Sequence, residues 1–324
     1  MASLASAQVN NVAHRYQGLF VALQVIGGQF GLPLFIGTML LARSVKQHLI
    51  LANFCASWIV YSLAYSLSVY AGGETTDGPP SALCVAQTSL VFGVVPLAVT
   101  AYCALHIQIW LGFRTALYED TWTTKYQRRI LTFIFYVPYV VFFAFTVGTL
   151  AVCLRNPEVI DRTDTYYCTL SHSHNGMKIA SPAYAAAIIA FMLALELHIA
   201  ITIIPRWRVV RRTKAISRAS MSMLVRICVF SIYGIVTLAA CAAFITKSSS
   251  FWPYFVQASL PTAIFCVFGT RGDVWSAWCF WRQPGGEDAM KTRSENIDVT
   301  LDSQISLEEG NLKSSAAPQV PEKD

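Results

Sequence analysis

Hydrophobic and polar positions along this chain are arranged in long blocks, not in the short alternations of a soluble domain. Apolar runs occupy Gly18–Ala42, His48–Ala71, Ser81–Leu111, Ile130–Cys153, Ser181–Ile204, Ser222–Ile245 and Trp252–Phe268, with short polar connections between them. A hydrocarbon layer about 30 Å thick is crossed by roughly 20 residues of α-helix, each rising about 1.5 Å. The pattern therefore predicts an all-α fold, a seven-transmembrane helix bundle spanning 18–270. The last run is the shortest and carries Pro253 and Pro261. Composition agrees: 55% of residues are hydrophobic and only 13% are charged, with a mean hydropathy of +0.48, far from a soluble domain of this length.

The charges in the connections set an expected orientation. Lys and Arg collect in alternate loops: Arg43 and Lys46 in the first, Arg114, Lys125, Arg128 and Arg129 in the third, and Arg206, Arg208, Arg211, Arg212, Lys214 and Arg218 in the fifth. The second loop has Glu74 and Asp77 and no base, the fourth balances three bases with three acids, and the sixth offers Lys247. Basic loops face the cytoplasm. Residues 1–17 are then an extracellular segment, and the first span is expected to serve as its own insertion signal. Residues 283–324, polar and rich in Ser, Pro and Glu, read as a disordered cytoplasmic tail with serines and threonines open to phosphorylation.

Orientation sorts the nine cysteines. Cys84 starts the third span and Cys168 lies in the longest outer loop, both on the oxidising side where a disulfide persists. Cys153 is near the outer end of the fourth span, so Cys153–Cys168 competes with Cys84–Cys168. Cys55, Cys103, Cys228, Cys241 and Cys266 fall within spans and act as small hydrophobes. Cys279 follows the last span on the inner side, where it is a candidate for palmitoylation.

Seven spans, an outer N-terminus, and a cysteine heading the third helix with another in the second outer loop resemble a G-protein-coupled receptor. The likeness is to the receptor-like seven-helix proteins of fungi and extends over residues 18–282. Motifs common in rhodopsin-like receptors are replaced: the third helix ends Ile-Trp-Leu-Gly-Phe-Arg (109–114), the sixth span lacks proline, and the seventh reads Ser-Leu-Pro-Thr-Ala-Ile-Phe-Cys-Val-Phe-Gly-Thr (259–270). The resemblance implies a plasma-membrane signalling protein that senses a small extracellular ligand, lipid or short peptide and couples to a heterotrimeric G protein. A retinal chromophore is not expected, because Trp252–Phe268 holds no lysine for a Schiff base.

Particular residues give that expectation its chemistry. Arg114, Arg206, Arg208, Arg211, Arg212 and Lys214 form a basic face that can bind anionic lipid or dock a G protein. Pro205 is expected to kink or end the membrane portion of the fifth helix, leaving about 17 residues between the fifth and sixth spans, too few for an effector domain. Glu196 and His198 are the main polar outliers within a span. A separation of two turns them roughly 200° apart on a helix, and His106 in the third span is a candidate hydrogen-bond partner for Glu196. An ionisable group in hydrocarbon costs about 2.5–3.5 kcal/mol, so it faces the bundle or a wet cavity. Asn53 is expected to bond across the bundle with Ser57 beside it, and Pro261 is a hinge candidate. Val274, Trp278 and Trp281 place apolar groups at helical spacing, predicting an amphipathic eighth helix over 271–282 on the membrane surface.

Tyr61, Tyr65 and Tyr70 in the second span, with Trp252, Tyr254 and Gln257 in the seventh, fall near the outer mouth and are candidates for a ligand pocket. The alternatives are a seven-helix transporter or lipid translocator, for which no internal repeat is evident, and an intramembrane hydrolase using His172 and His174 near Asp161 and Asp164. No phosphate-binding glycine loop or nucleophile elbow occurs. The expectation is of a non-enzyme without cofactor or metal, whose partners are membrane lipid, a G protein and a small ligand, and not nucleic acid.

Overall fold

The computed structural model describes residues 17–41, 49–71, 80–118, 121–161, 167–171, 175–212, 218–246, 252–270 and 274. Among them the apolar runs are helices: α1 Gln17–Leu41, α2 Leu49–Tyr70, α3 Ala82–Tyr118, α4 Thr121–Arg155, α5 Asn175–Arg212, α6 Arg218–Ile245 and α7 Trp252–Gly269. The first 6 are long and apolar enough to cross a membrane, which makes the chain a helical, multi-pass membrane protein. α7 has 18 residues, a rise of about 27 Å. The N-terminal residues 1–16, the amphipathic helix expected over 271–282 (Val274 apart) and the tail 283–324 lie outside the described residues.

Several helices outrun their apolar cores. α3 has 37 residues and α5 has 38, or roughly 55 Å of helix against a hydrocarbon layer of about 30 Å. Pro205 does not end α5, which continues through the basic run to Arg212. One proline removes a single backbone bond, and the turns on either side hold their own. With α6 starting at Arg218, both helices extend beyond their apolar spans into the expected connection of about 17 residues.

α3 is the axis of the bundle, packing on α2, α4 and α5, while α6 joins α5 to α7. α1 closes the structure against α2 and α7 by an unusual local device. Its middle, Gln24–Gly31, is π-helical, a geometry with i→i+5 backbone bonds that is rare in helices. Two carbonyls at its start also accept bonds from other helices: Ser62 donates to the Gln24 carbonyl at 2.6 Å and Thr262 to the carbonyl of Leu23, just before it, at 2.7 Å. Gly27, Gly28 and Gly31 permit this approach, since a Cβ there would overlap Thr262, Ser62 and the Phe265 ring. Helices in lipid associate through such close packing and hydrogen bonding, because lipid tails are as apolar as the side chains.

The connection after α4 departs from an all-α fold. A short 3₁₀ turn, Pro157–Val159, leads to a two-stranded antiparallel ribbon of β1 (Ile160–Asp161) and β2 (Thr169–Leu170), with Ile160 opposite Leu170. Cys84 and Cys168 form a disulfide, their Cα atoms 5.6 Å apart. Cys153 is free and buried, which removes the competing pair. It packs in the same apolar cluster as the disulfide, with Phe92, Val159, Ile160 and Leu170. Gln87 reinforces the join. Its amide donates to the Ala64 and Tyr65 carbonyls at 3.2 and 3.4 Å, and its oxygen accepts from the Cys168 backbone at 3.3 Å.

Candidate functional site

At the disulfide-bearing end, a cavity of about 140 Å³ lies among α2, α3, α5, α6, α7 and the ribbon. One wall is an aromatic ladder on a single face of α2. Trp58, Tyr61 and Tyr65 recur at i, i+3 and i+7, with ring centroids 4.8 Å and then 4.7 Å apart. That spacing keeps side chains on one side of a helix. Tyr167, just before β2, stands edge-on to Tyr65 at 4.8 Å, and Tyr254 of α7 lies 6.2 Å from Tyr167. Tyr102 and Phe230 line the opposite end of the cavity.

The predicted pocket residues divide. Tyr61, Tyr65, Tyr254 and Gln257 all line the cavity, and hydrogen bonds join α2 to α7 beside it. The Gln257 amide nitrogen donates to the Tyr65 hydroxyl, and the Tyr61 hydroxyl donates to the Gln257 carbonyl at 3.4 Å. Trp252 is not part of the lining. It is the first residue of α7 and is 37% exposed. Tyr70 is likewise turned away, exposed at the end of α2 and donating to Gln29 of α1.

Beneath the cavity a buried polar network ties α3, α5 and α6 together. His106, only 1% exposed, places Nε2 2.5 Å from Oε1 of Glu196, the partnership expected from sequence. His106 Nδ1 lies 3.0 Å from the Tyr102 carbonyl. A carbonyl only accepts, so Nδ1 carries a proton. The Nε2–Oε1 contact needs a second proton, held on either atom. The pair is therefore imidazolium–carboxylate or imidazole–carboxylic acid, and neutral overall in both forms. Ser231 of α6 donates to the same Glu196 oxygen. With its proton so engaged, Ser231 accepts from the Tyr102 hydroxyl at 3.3 Å. His198 faces the other way and is exposed, as the two-residue separation predicts.

Tyr102 and Ser231 were not evident as network members from sequence. A tyrosine and a serine within apolar spans are common, and only the fold brings them together. Asn53 bonds both along its own helix and across to another. Ser57 donates to its backbone carbonyl at 2.9 Å, while the Asn53 side chain crosses to α4, accepting from Tyr139 and donating to the Phe135 carbonyl at 3.5 Å.

A third such residue lies at the opposite end from the disulfide. Arg226 of α6 donates to the Val267 carbonyl, to the Thr270 hydroxyl at 2.8 Å and to the Thr270 carbonyl at 2.9 Å. These carbonyls end α7, where the helix dipole favours a cation. The signal in the sequence is a full charge inside the apolar run Ser222–Ile245.

Of the predicted basic face, Arg114 is exposed, with its guanidinium over the Trp110 ring at 5.3 Å. Arg206, Arg208, Arg211 and Arg212 occupy the last turns of α5. Lys214, Cys279, His172 and His174 lie outside the described residues. Pro261 is buried within α7 near Gly28, against the π-helical part of α1. Neither the models of known protein families nor curated proteins give a match to this chain.

Proposed function

We propose that this protein is a seven-helix receptor, in which a small ligand held in the cavity shifts the packing of α6 against α3 and α5 and thereby recruits a cytoplasmic G protein. The observation that carries the reading is the position of Tyr102. Its side chain lines the cavity, and its hydroxyl ends the Ser231–Glu196–His106 network. A ligand pressing on Tyr102 acts on hydrogen bonds that join three helices. A ligand shifts such an equilibrium only through differential affinity for the two arrangements, and a wall residue shared with an interhelix network supplies a route to that difference.

In this reading α7 is the seventh span. The disulfide end faces outward and the basic end inward, at the plasma membrane. Arg114 and the basic turns of α5 meet anionic lipid in one state and the G protein in the other. Arg226, clasping the end of α7, holds α6 closed at that inner end until the ligand arrives.

The test is guanine-nucleotide exchange on purified G proteins in membranes containing the full chain, across a panel of small molecules. The expected result is ligand-dependent exchange that falls at least tenfold in Tyr102→Phe while the protein remains folded and inserted. Solute uptake with no exchange from any G protein would replace this reading with the transporter.

A further inference from the structure

Resting on the receptor reading, we infer that the cavity takes a small, uncharged, largely apolar molecule with one hydroxyl group that donates to Gln257. Size comes first. The cavity holds about 140 Å³ and is open on part of its surface, and a closed apolar cavity of about 150 Å³ accommodates benzene. One ring or a short chain fits, and a peptide does not.

Charge comes second. Among the described residues, the lining contains no carboxylate, and its single charged side chain is Lys178. Glu196 is outside the lining, already bonded to His106 and Ser231. An ammonium ligand would enter an aromatic and aliphatic enclosure without a counter-ion, at the penalty that keeps bare charges out of such surroundings. Lys178 is the one group of the lining that could answer an anion, and benzoate among the probes below tests it.

The polar handle comes third. Gln257 uses its amide nitrogen on Tyr65 and its backbone carbonyl on Tyr61. Its side-chain oxygen has no hydrogen-bond partner and is covered as the cavity stands, so the amide turns to meet a ligand. Buried acceptors are rarely left so, and the missing partner is a donor. A hydroxyl supplies it without a charge. The remainder then runs along α2 towards Trp58, about 10 Å from Tyr65 by helical rise, among Val95, Ala98 and Phe230, with the Trp58 indole nitrogen as a second buried group without a partner.

The experiment measures saturable binding to the full-length protein in phosphatidylcholine nanodiscs, with empty nanodiscs subtracting partition into lipid. Four probes share one ring: benzyl alcohol, toluene, benzylamine and benzoate. Benzyl alcohol is expected to bind most tightly, about tenfold better than toluene, the scale of one hydrogen bond. Gln257→Leu should remove that advantage and leave toluene unchanged. Gly234 lines the cavity, and a Cβ there would meet nothing nearer than Ile189 at 3.9 Å, so Gly234→Leu should fill the space and abolish saturable binding of both. Ala240→Val serves the same purpose if the leucine variant misfolds.

Equal or tighter binding of benzylamine or benzoate would overturn the ligand class, as would no saturable binding to the unaltered protein or binding that survives filling. The receptor reading is judged separately by nucleotide exchange in the same nanodiscs. Exchange driven by the amine refutes the class alone, and alcohol binding that drives no exchange refutes the receptor alone.

Discussion

α3 and α4 are equally apolar and sit in opposite surroundings. Their spanning windows have mean hydropathies of 2.0 and 2.2, yet 83% of the α3 window is buried within the protein and 11% of the α4 window. The difference is carried by the exceptions to apolarity. α3 buries Gln87, Thr88, Ser89, Thr100 and His106. α4 turns Phe133, Tyr136, Val140, Phe143, Val147 and Leu154 outward, at helical spacings that make one lipid-facing stripe. Apolar surface gains little by leaving lipid for protein, so total hydropathy does not rank helices by depth. Small residues and polar groups with partners do. In this bundle the interior is marked by what lipid would reject.

The comparison breaks first if the polar residues of the axis are incidental. Glu196→Ala leaves His106 buried without its carboxylate and should destabilise the protein by about 3 kcal/mol, the scale for losing one member of a buried pair. Thermal or denaturant unfolding in a fixed detergent measures it. Replacing both partners, His106→Phe with Glu196→Leu, should recover most of the loss, because no unpaired ionisable group remains and only the Ser231 hydroxyl loses its acceptor. A double variant as unstable as the sum of the single ones would show that the two residues contribute independently.

Some of this was legible in the sequence and some was not, for physical reasons. The helices announced themselves because hydrocarbon thickness dictates their length. Glu196 and His106 were legible as a pair because ionisable groups in spans must find partners, and Cys84 and Cys168 because charge bias assigned them to one side. Rotation about a helix axis was much less legible. In a uniformly apolar span no hydrophobic phase distinguishes one face from another, so Trp252 and Tyr70 looked like Tyr254 and Tyr65 when judged by depth alone. The π-bulge of α1 and the ribbon carrying Cys168 arise from tertiary bonds to Ser62, Thr262 and α3, which no local pattern announces. Arg226 was readable, since a full charge inside an apolar run demands an explanation.

The next test concerns a place where α4 packs tightly against the axis. Gly93 of α3 faces Thr146 and Phe142 of α4 so closely that an added Cβ would overlap the Thr146 hydroxyl. Gly93→Leu should force α4 away and cost about 2 kcal/mol, the ordinary price of overpacking, with a matching loss of any crosslink between cysteines introduced on the two helices. A variant of unchanged stability and unchanged crosslinking would mean that α4 rides on α3 without a fixed seat.

The smallest effect is expected on the outer stripe of α4, and it is the sharpest test of the lipid argument. Phe143 is 61% exposed, and Phe143→Ala exchanges ring-to-lipid contacts for lipid-to-lipid contacts, leaving no cavity because acyl chains flow into the space. Its cost should stay below about 0.5 kcal/mol, as for surface changes away from specific contacts. Leu105 of α3 is 0% exposed, and Leu105→Ala, which removes less side chain, should cost about 3 kcal/mol because the surrounding helices cannot close the void. The comparison is made in one lipid composition by unfolding the two variants side by side. Equal losses at the two positions would mean that α4 is covered by protein in the membrane and that its stripe is an interface.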